Sequence, residues 1–178
     1  MAADPLRHNV LLTGLPGVGK TTAIQRVAEL LADCVLAGFT TEEVRVGGTR
    51  RGFRVLTLDG REGILADVGL HTHWRVSKYH VDVEGFERLV CPMLETAADE
   101  AEVVLVDEIG KMECFSHRFC EAIEQLADAP VPLVATIAAR GGGLVAAIKQ
   151  RPDVQILTLT HQNRDEIPKQ ACALLGIR

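Results

Sequence analysis

The stretch Val10-Leu11-Leu12-Thr13-Gly14-Leu15-Pro16-Gly17-Val18-Gly19-Lys20-Thr21-Thr22 leaves this chain few folds to choose from. A short apolar run reads as a buried strand, followed by a glycine-rich turn and a helix start. Within it, Gly14-x4-Gly19-Lys20-Thr21 matches the phosphate-binding P-loop pattern. Gly14, Gly17 and Gly19 let the backbone take positive φ and approach an anion closely, so that successive N–H groups turn inward. The helix that follows adds its unpaired N-terminal donors and positive dipole end. Lys20 supplies a point charge for β- and γ-phosphate oxygens, and Thr21 offers a hydroxyl to Mg²⁺. Beyond Lys20, the residues Ile24, Val27, Ala28 and Leu31 recur at i, i+3, i+4 and i+7, one face of an amphipathic helix.

The remaining periodicities extend this into strands alternating with helices. Val35 to Thr40 is a second apolar run, followed by the polar stretch Thr41 to Arg45 and the turn signal Gly47-Gly48. Phe53 to Leu58, the turn Asp59-Gly60 and Ile64 to Val68 read as an inserted antiparallel hairpin. Gly69 to Lys78 reads as a loop carrying the only tryptophan, Trp74, packed over the hairpin. A short strand over Tyr79 to Val83 precedes a helical period from Phe86 to Ala97, in which Pro92 predicts a kink or a break. Val103 to Val106 is continuously apolar, as in a strand buried on both faces of a parallel sheet. Ser116 predicts a helix cap, Val131 to Ile137 and Val154 to Thr160 two more strands, and Pro168 the first turn of a closing helix. The expected architecture is α/β with three layers, a mostly parallel sheet, and one domain over residues 1–178. Ligands of such sheets lie at the carboxyl ends of the strands, where Thr13, Asp107, Glu108, Thr136 and Thr160 fall.

Asp107 follows the buried run as a Walker-B aspartate does, placed to hold Mg²⁺ opposite Thr21. Glu108 comes next and can orient and deprotonate an attacking water. Composition removes other classes of function. A net charge of −5 argues against binding nucleic acid by bulk electrostatics, so that partner is possible but not expected. No apolar run is long enough to span a bilayer, and the N-terminus lacks a charged leader followed by a long apolar stretch, which predicts a cytoplasmic protein. The 5 cysteines include no C-x-x-C pair and read as reduced, mostly buried side chains. His71 and His73 have H-x-H spacing without a third ligand, which predicts a solvated loop. Oligomeric state leaves no signature in the sequence.

At Asp107-Glu108-Ile109-Gly110-Lys111-Met112-Glu113 the chain resembles a small P-loop nucleoside-triphosphatase family, the one that includes the cancer-related nucleoside triphosphatase of animals and its thermophile relatives. Gly14 to Thr22, Thr41-Glu42-Glu43-Val44-Arg45, Gly52-Phe53, Phe115-Ser116, Ala135-Thr136-Ile137 and Asn163-Arg164-Asp165 carry the same resemblance, in order. It implies a RecA-like domain that hydrolyses ATP, GTP and other nucleoside triphosphates to the diphosphate and phosphate with Mg²⁺. Carried over motif by motif, the nucleotide would contact Gly14, Leu15, Pro16, Gly17, Val18, Gly19, Lys20, Thr21 and Thr22. A second contacting stretch would be Val103, Val104, Leu105, Val106, Asp107, Glu108, Ile109 and Gly110. The chain departs from the family pattern at Cys114, at Gln162 and in the glycine-rich loop after Ala138-Ala139-Arg140.

Placement alone suggests supporting roles. Thr136 could sense the γ-phosphate or simply end a strand. Asn163 and Arg164 could meet base or ribose, or form a surface cap. Lys111 or Arg140 could neutralise charge on the transferring phosphoryl group. Arg45, Arg50, Arg51 and Arg54 form a basic cluster on the hairpin, by default a solvated face, otherwise a contact for phosphates or for a nucleic acid strand. Beside hydrolysis stand two alternatives, a small-molecule kinase and a nucleotide-switched binding module.

Overall fold

The computed structural model describes residues 9–177; the polar leader Met1 to Arg7 lies outside them. The apolar run of the P-loop stretch forms β1 (Asn9–Thr13) and its amphipathic continuation α1 (Lys20–Leu30). The chain goes on through β2 (Leu36–Val46), β3 (Thr49–Thr57), β4 (Glu62–Asp67), β5 (Arg75–Val76) and β6 (Tyr79–Val81) to α2 (Val83–Glu100). Then come β7 (Val103–Ile109), a single 3₁₀ turn (Glu113–Phe115), α3 (His117–Asp128), β8 (Leu133–Ile137), α4 (Leu144–Lys149), β9 (Val154–Thr158) and α5 (Ile167–Leu174). Ser116 caps α3 as expected, its hydroxyl accepting from the Phe119 N–H at 2.9 Å.

All the strands join one sheet in the order β5-β6-β4-β3-β2-β7-β8-β1-β9. From β2 to β9 the neighbours are parallel, and from β2 to β5 antiparallel. Alternation along β7 shows why three layers form. Val104 and Val106 pack with Phe86 and Val90 of α2, Phe119 of α3 and Leu144 of α4, whereas Val103 and Leu105 pack with Ile24 of α1 and Ala171 of α5. The rings of Phe39, Phe86 and Phe119 meet pairwise at 5.3–6.2 Å and pin β2 to the two helices beneath it. Among the described residues, no helix is long and apolar enough to cross a membrane.

The structure differs from the expected elements in three respects. First, β2 does not stop at Thr40 but continues to Val46, because its polar half is held by cross-strand charge pairs instead of a core. Glu42 lies opposite Arg54, and the turn at Gly47 and Gly48 takes φ of 57° and 79° as a two-residue hairpin turn. Second, Gly69 to Lys78 is not loop throughout, since Arg75 and Val76 pair with His80 and Tyr79 as β5. Two residues are too few to show an alternation in sequence. The antiparallel part thus runs to four strands beyond β2, in the order β3-β4-β6-β5, which makes the sheet mixed. Third, Pro92 breaks nothing: α2 runs through it, with Pro92 and Arg88 both on the exposed side, where the carbonyl it leaves unpaired can be solvated.

Candidate functional site

The loop after β1 is shaped by two different glycine demands. Gly17 and Gly19 take φ of 77° and 107°, which L side chains rarely adopt. Gly14 does not need positive φ; it is required by close approach, since a Cβ there would meet the Leu159 carbonyl oxygen and Val18 Cγ1, each at 2.9 Å. The Lys20 ammonium curls back over the loop and donates to the carbonyls of Gly14 at 3.1 Å and Leu15 at 3.4 Å. These are weak neutral acceptors, so the cation is placed without being neutralised.

Three strands converge on Asp107, which is 1% exposed. Thr136 of β8 donates its hydroxyl to Oδ1 at 2.7 Å. Thr41 of β2 donates both its N–H and its hydroxyl to Oδ2 at 3.2 Å. Among the described residues Asp107 has no ion-pair partner within 4.0 Å. A buried carboxylate held only by neutral donors is costly, and its oxygen ligands suit a small hard cation. Thr136 therefore orients the acid and does more than end its strand.

Glu108 is partly exposed and faces the loop. Burial raises its carboxyl above the ordinary 4.5, Lys20 opposes that shift, and Asp107 adds to it. A cleft of about 650 Å³ joins Glu108 to Gly17, Gly19, Lys20 and Thr21 on one side and to Thr41, Glu43, Arg50 and Phe53 on the other. Gly110 separates Glu108 from a further acid: a Cβ on it would lie 3.1 Å from both Glu108 Oε1 and Glu113 Oε2. Glu113 is buried and has no ion pair among the described residues, and burial pushes its carboxyl up to about 8.

The other expected contacts are distributed unevenly. Val103 to Val106 and Ile109 are fully buried in the cores, so they carry Asp107 to the sheet edge and do not line the cleft. Leu15, Pro16 and Thr22 are exposed on the loop and helix start, and Val18 is buried beneath them. A second hollow, of about 590 Å³, shares Gly19 and Thr22 with the first and is lined further by Ala23, Arg26, Arg164 and Lys169. Asn163 does not line it. Its side chain accepts from the Thr160 N–H at 2.7 Å and donates to the Thr158 carbonyl at 3.0 Å, the surface-cap alternative. Lys111 and Arg140 are exposed and neither lines the cleft. The basic cluster is interleaved with acids: Arg45 and Arg50 pair with Glu43, Arg51 with Asp67, and Arg54 with Glu42 and Glu62. Trp74 stacks between His73 and Phe115, with ring centroids at 4.8 and 5.0 Å. Sequence reasoning gave no role to Thr41 or Glu113, although both lie in motifs it singled out; nothing local marks a threonine as the partner of an aspartate 66 residues away.

A glycine-rich loop at the carboxyl edge of a three-layer sheet, with a buried aspartate two strands away, defines a P-loop NTPase fold. The chain belongs to the NTPase family, whose sequence pattern matches residues 9–172. It is 42% identical over 166 residues to the nucleoside-triphosphatase THEP1 of Thermotoga sp. (strain RQ2), covering 93% of this chain and 94% of that one. The crystal structure of THEP1 from Aquifex aeolicus superposes with a TM-score of 0.87 at 39% identity, over 95% of this chain and 99% of that chain. The solution structure of a human cancer-related nucleoside triphosphatase does so with a TM-score of 0.81 at 40% identity, over 96% and 98%.

Proposed function

We propose that the protein hydrolyses nucleoside triphosphates to the diphosphate and phosphate, with Mg²⁺ as the metal. The observation that carries this reading is the pairing of a buried Asp107, which has no ion-pair partner among the described residues, with Glu108 at one edge of the cleft that Lys20 faces. The names of the relatives support the same chemistry. The phosphates lie along Gly14 to Thr21, and the nucleoside extends into the hollow beside Arg26 and Arg164. Thr21 and Asp107 hold the metal, which when bound spreads the negative charge of the phosphate oxygens.

Glu108 takes the proton of the attacking water. The water oxygen bonds to the terminal phosphorus, the bond to the bridging oxygen breaks, and its electron pair leaves on the diphosphate. Lys20 holds the oxygens of the terminal group in place. With Glu108→Gln we expect ATP and Mg²⁺ to bind with unchanged affinity while phosphate release falls by about 10² or more. Phosphate release at the wild-type rate would remove Glu108 from its role. Release without any added acceptor distinguishes hydrolysis from a kinase.

A further inference from the structure

A phosphoryl group in transfer spreads negative charge over its non-bridging oxygens, and a lysine on one side leaves the other side open. Lys111 and Arg140, the cations expected to serve there, are exposed and stand outside the cleft. Arg50 stands inside it, lining the same space as Lys20, Thr21 and Glu108 from the hairpin side. We propose that Arg50 is a catalytic residue, a guanidinium delivered in cis by the β2–β3 hairpin to the oxygens of the transferring phosphoryl group.

The hydrogen bonds of the hairpin distinguish Arg50 from its neighbours. Arg45 donates its Nε to Glu43 at 3.0 Å and Arg54 to Glu42 at 3.2 Å, while the Nε of Arg51 lies 3.3 Å from Asp67 as an ion pair. The Nε of Arg50 is buried and has no hydrogen-bond partner among the described residues. A surface arginine that merely decorates a hairpin leaves its donors in water; a buried donor without an acceptor is costly and is explained when a ligand supplies one. The rest of the side chain is held in place. Its Nη2 pairs with Glu43 Oε1 at 2.5 Å, and its guanidinium carbon lies 5.6 Å from the centroid of Phe53. Glu43 spends its other oxygen on Arg45, so a single carboxylate oxygen restrains Arg50. Triphosphate oxygens entering the cleft compete with that one oxygen, and a guanidinium drawn off Glu43 toward them brings its Nε to an acceptor. Arginine suits the role because its charge persists at every working pH and its donors form a planar fork.

The assignment rests on the hydrolysis reading, and its test keeps the two apart. Arg50→Ala and Arg50→Lys are compared with wild type and with Arg51→Ala, which removes the same charge from the same hairpin outside the cleft. Turnover of ATP, affinity for ADP, and affinity for ADP with aluminium fluoride and Mg²⁺ are measured for each. We expect kcat of Arg50→Ala to fall about a thousandfold. ADP should bind within about threefold of wild type, aluminium fluoride should no longer tighten it, and Arg51→Ala should behave as wild type. Arg50→Lys should restore only a small part, since a point charge lacks the fork. Turnover of Arg50→Ala within about threefold of wild type, or undiminished tightening by aluminium fluoride, would overturn the proposal. Equal losses in Arg51→Ala would do the same by tracing the effect to hairpin folding. A wild type that releases no phosphate would defeat the hydrolysis reading, and the aluminium fluoride comparison would still decide the place of Arg50.

Discussion

Three carboxyls crowd the end of β7, and each is handled by different physics. Asp107 is buried but receives three donors from Thr41 and Thr136. Glu108 keeps part of its hydration and has Lys20 nearby. Glu113 has only backbone donors, from its own N–H and that of Gly110, against burial and two neighbouring acids. It is therefore protonated in the folded protein at neutral pH, with its carboxyl near 8 where the unfolded chain has 4.5. A raised folded value stabilises fully below about 4.5, and that contribution is lost as the pH rises to about 8. A tenfold difference in proton affinity between the folded and unfolded chain is worth about 1.4 kcal/mol, so the loss amounts to a few kcal/mol. Glu113→Gln mimics the neutral acid. Denaturant unfolding at about pH 5 and about pH 9 should show wild type losing stability relative to this variant at the higher pH. Parallel behaviour of the two proteins would show that Glu113 does not titrate in this range.

At the scale of elements, β2 serves two partners and its residues divide accordingly. Leu36 to Phe39 pair in parallel with β7, and Phe39 to Val46 pair antiparallel with β3. The transition falls at Gly38, which takes φ of 132°, and a Cβ there would lie 1.8 Å from the Leu105 carbonyl oxygen. Nothing but hydrogen fits between the strands, and Thr41 stands three residues further on. Gly38→Ala should therefore destabilise the protein by about 3 kcal/mol. It should also lower turnover beyond what unfolding explains, because the donors to Asp107 move with β2. Denaturant titration and phosphate release on the folded fraction check both parts. This element also marks a limit of sequence reading. The apolar start of β2 was legible by composition, whereas its charged continuation was not, since alternation of acid and arginine reveals a strand only when the partner strand is known.

For the whole molecule, the decisive fact is the position of β8 between β1 and β7. It sets the P-loop and Asp107 two strands apart and inserts Thr136 between them, with its hydroxyl on the aspartate. The resulting cleft draws on the loop after β1 and on α1, β2, β3 and β7 at once, so a ligand that fills it ties both halves of the mixed sheet together. With the proposed metal, ADP at a hundred times its Kd should add about 2.7 kcal/mol of stability. A thermal shift with ADP and Mg²⁺ that disappears on adding EDTA is the expected result; a shift indifferent to EDTA would show that the nucleotide binds without metal.

By itself the sequence determined the glycine-rich loop, the acid pair and the helices that follow them. Those features are contiguous, and spacing along a few residues is enough to dictate backbone shape and local charge. The tertiary structure alone decided that Thr41, Thr136 and Arg50 meet around that machinery, that Asn163 serves its own loop, and that Lys111 stays outside. Residues separated by tens of positions are brought together by strand order and register. Those depend on how two apolar faces of one sheet are covered, a property of the whole chain that no short stretch displays.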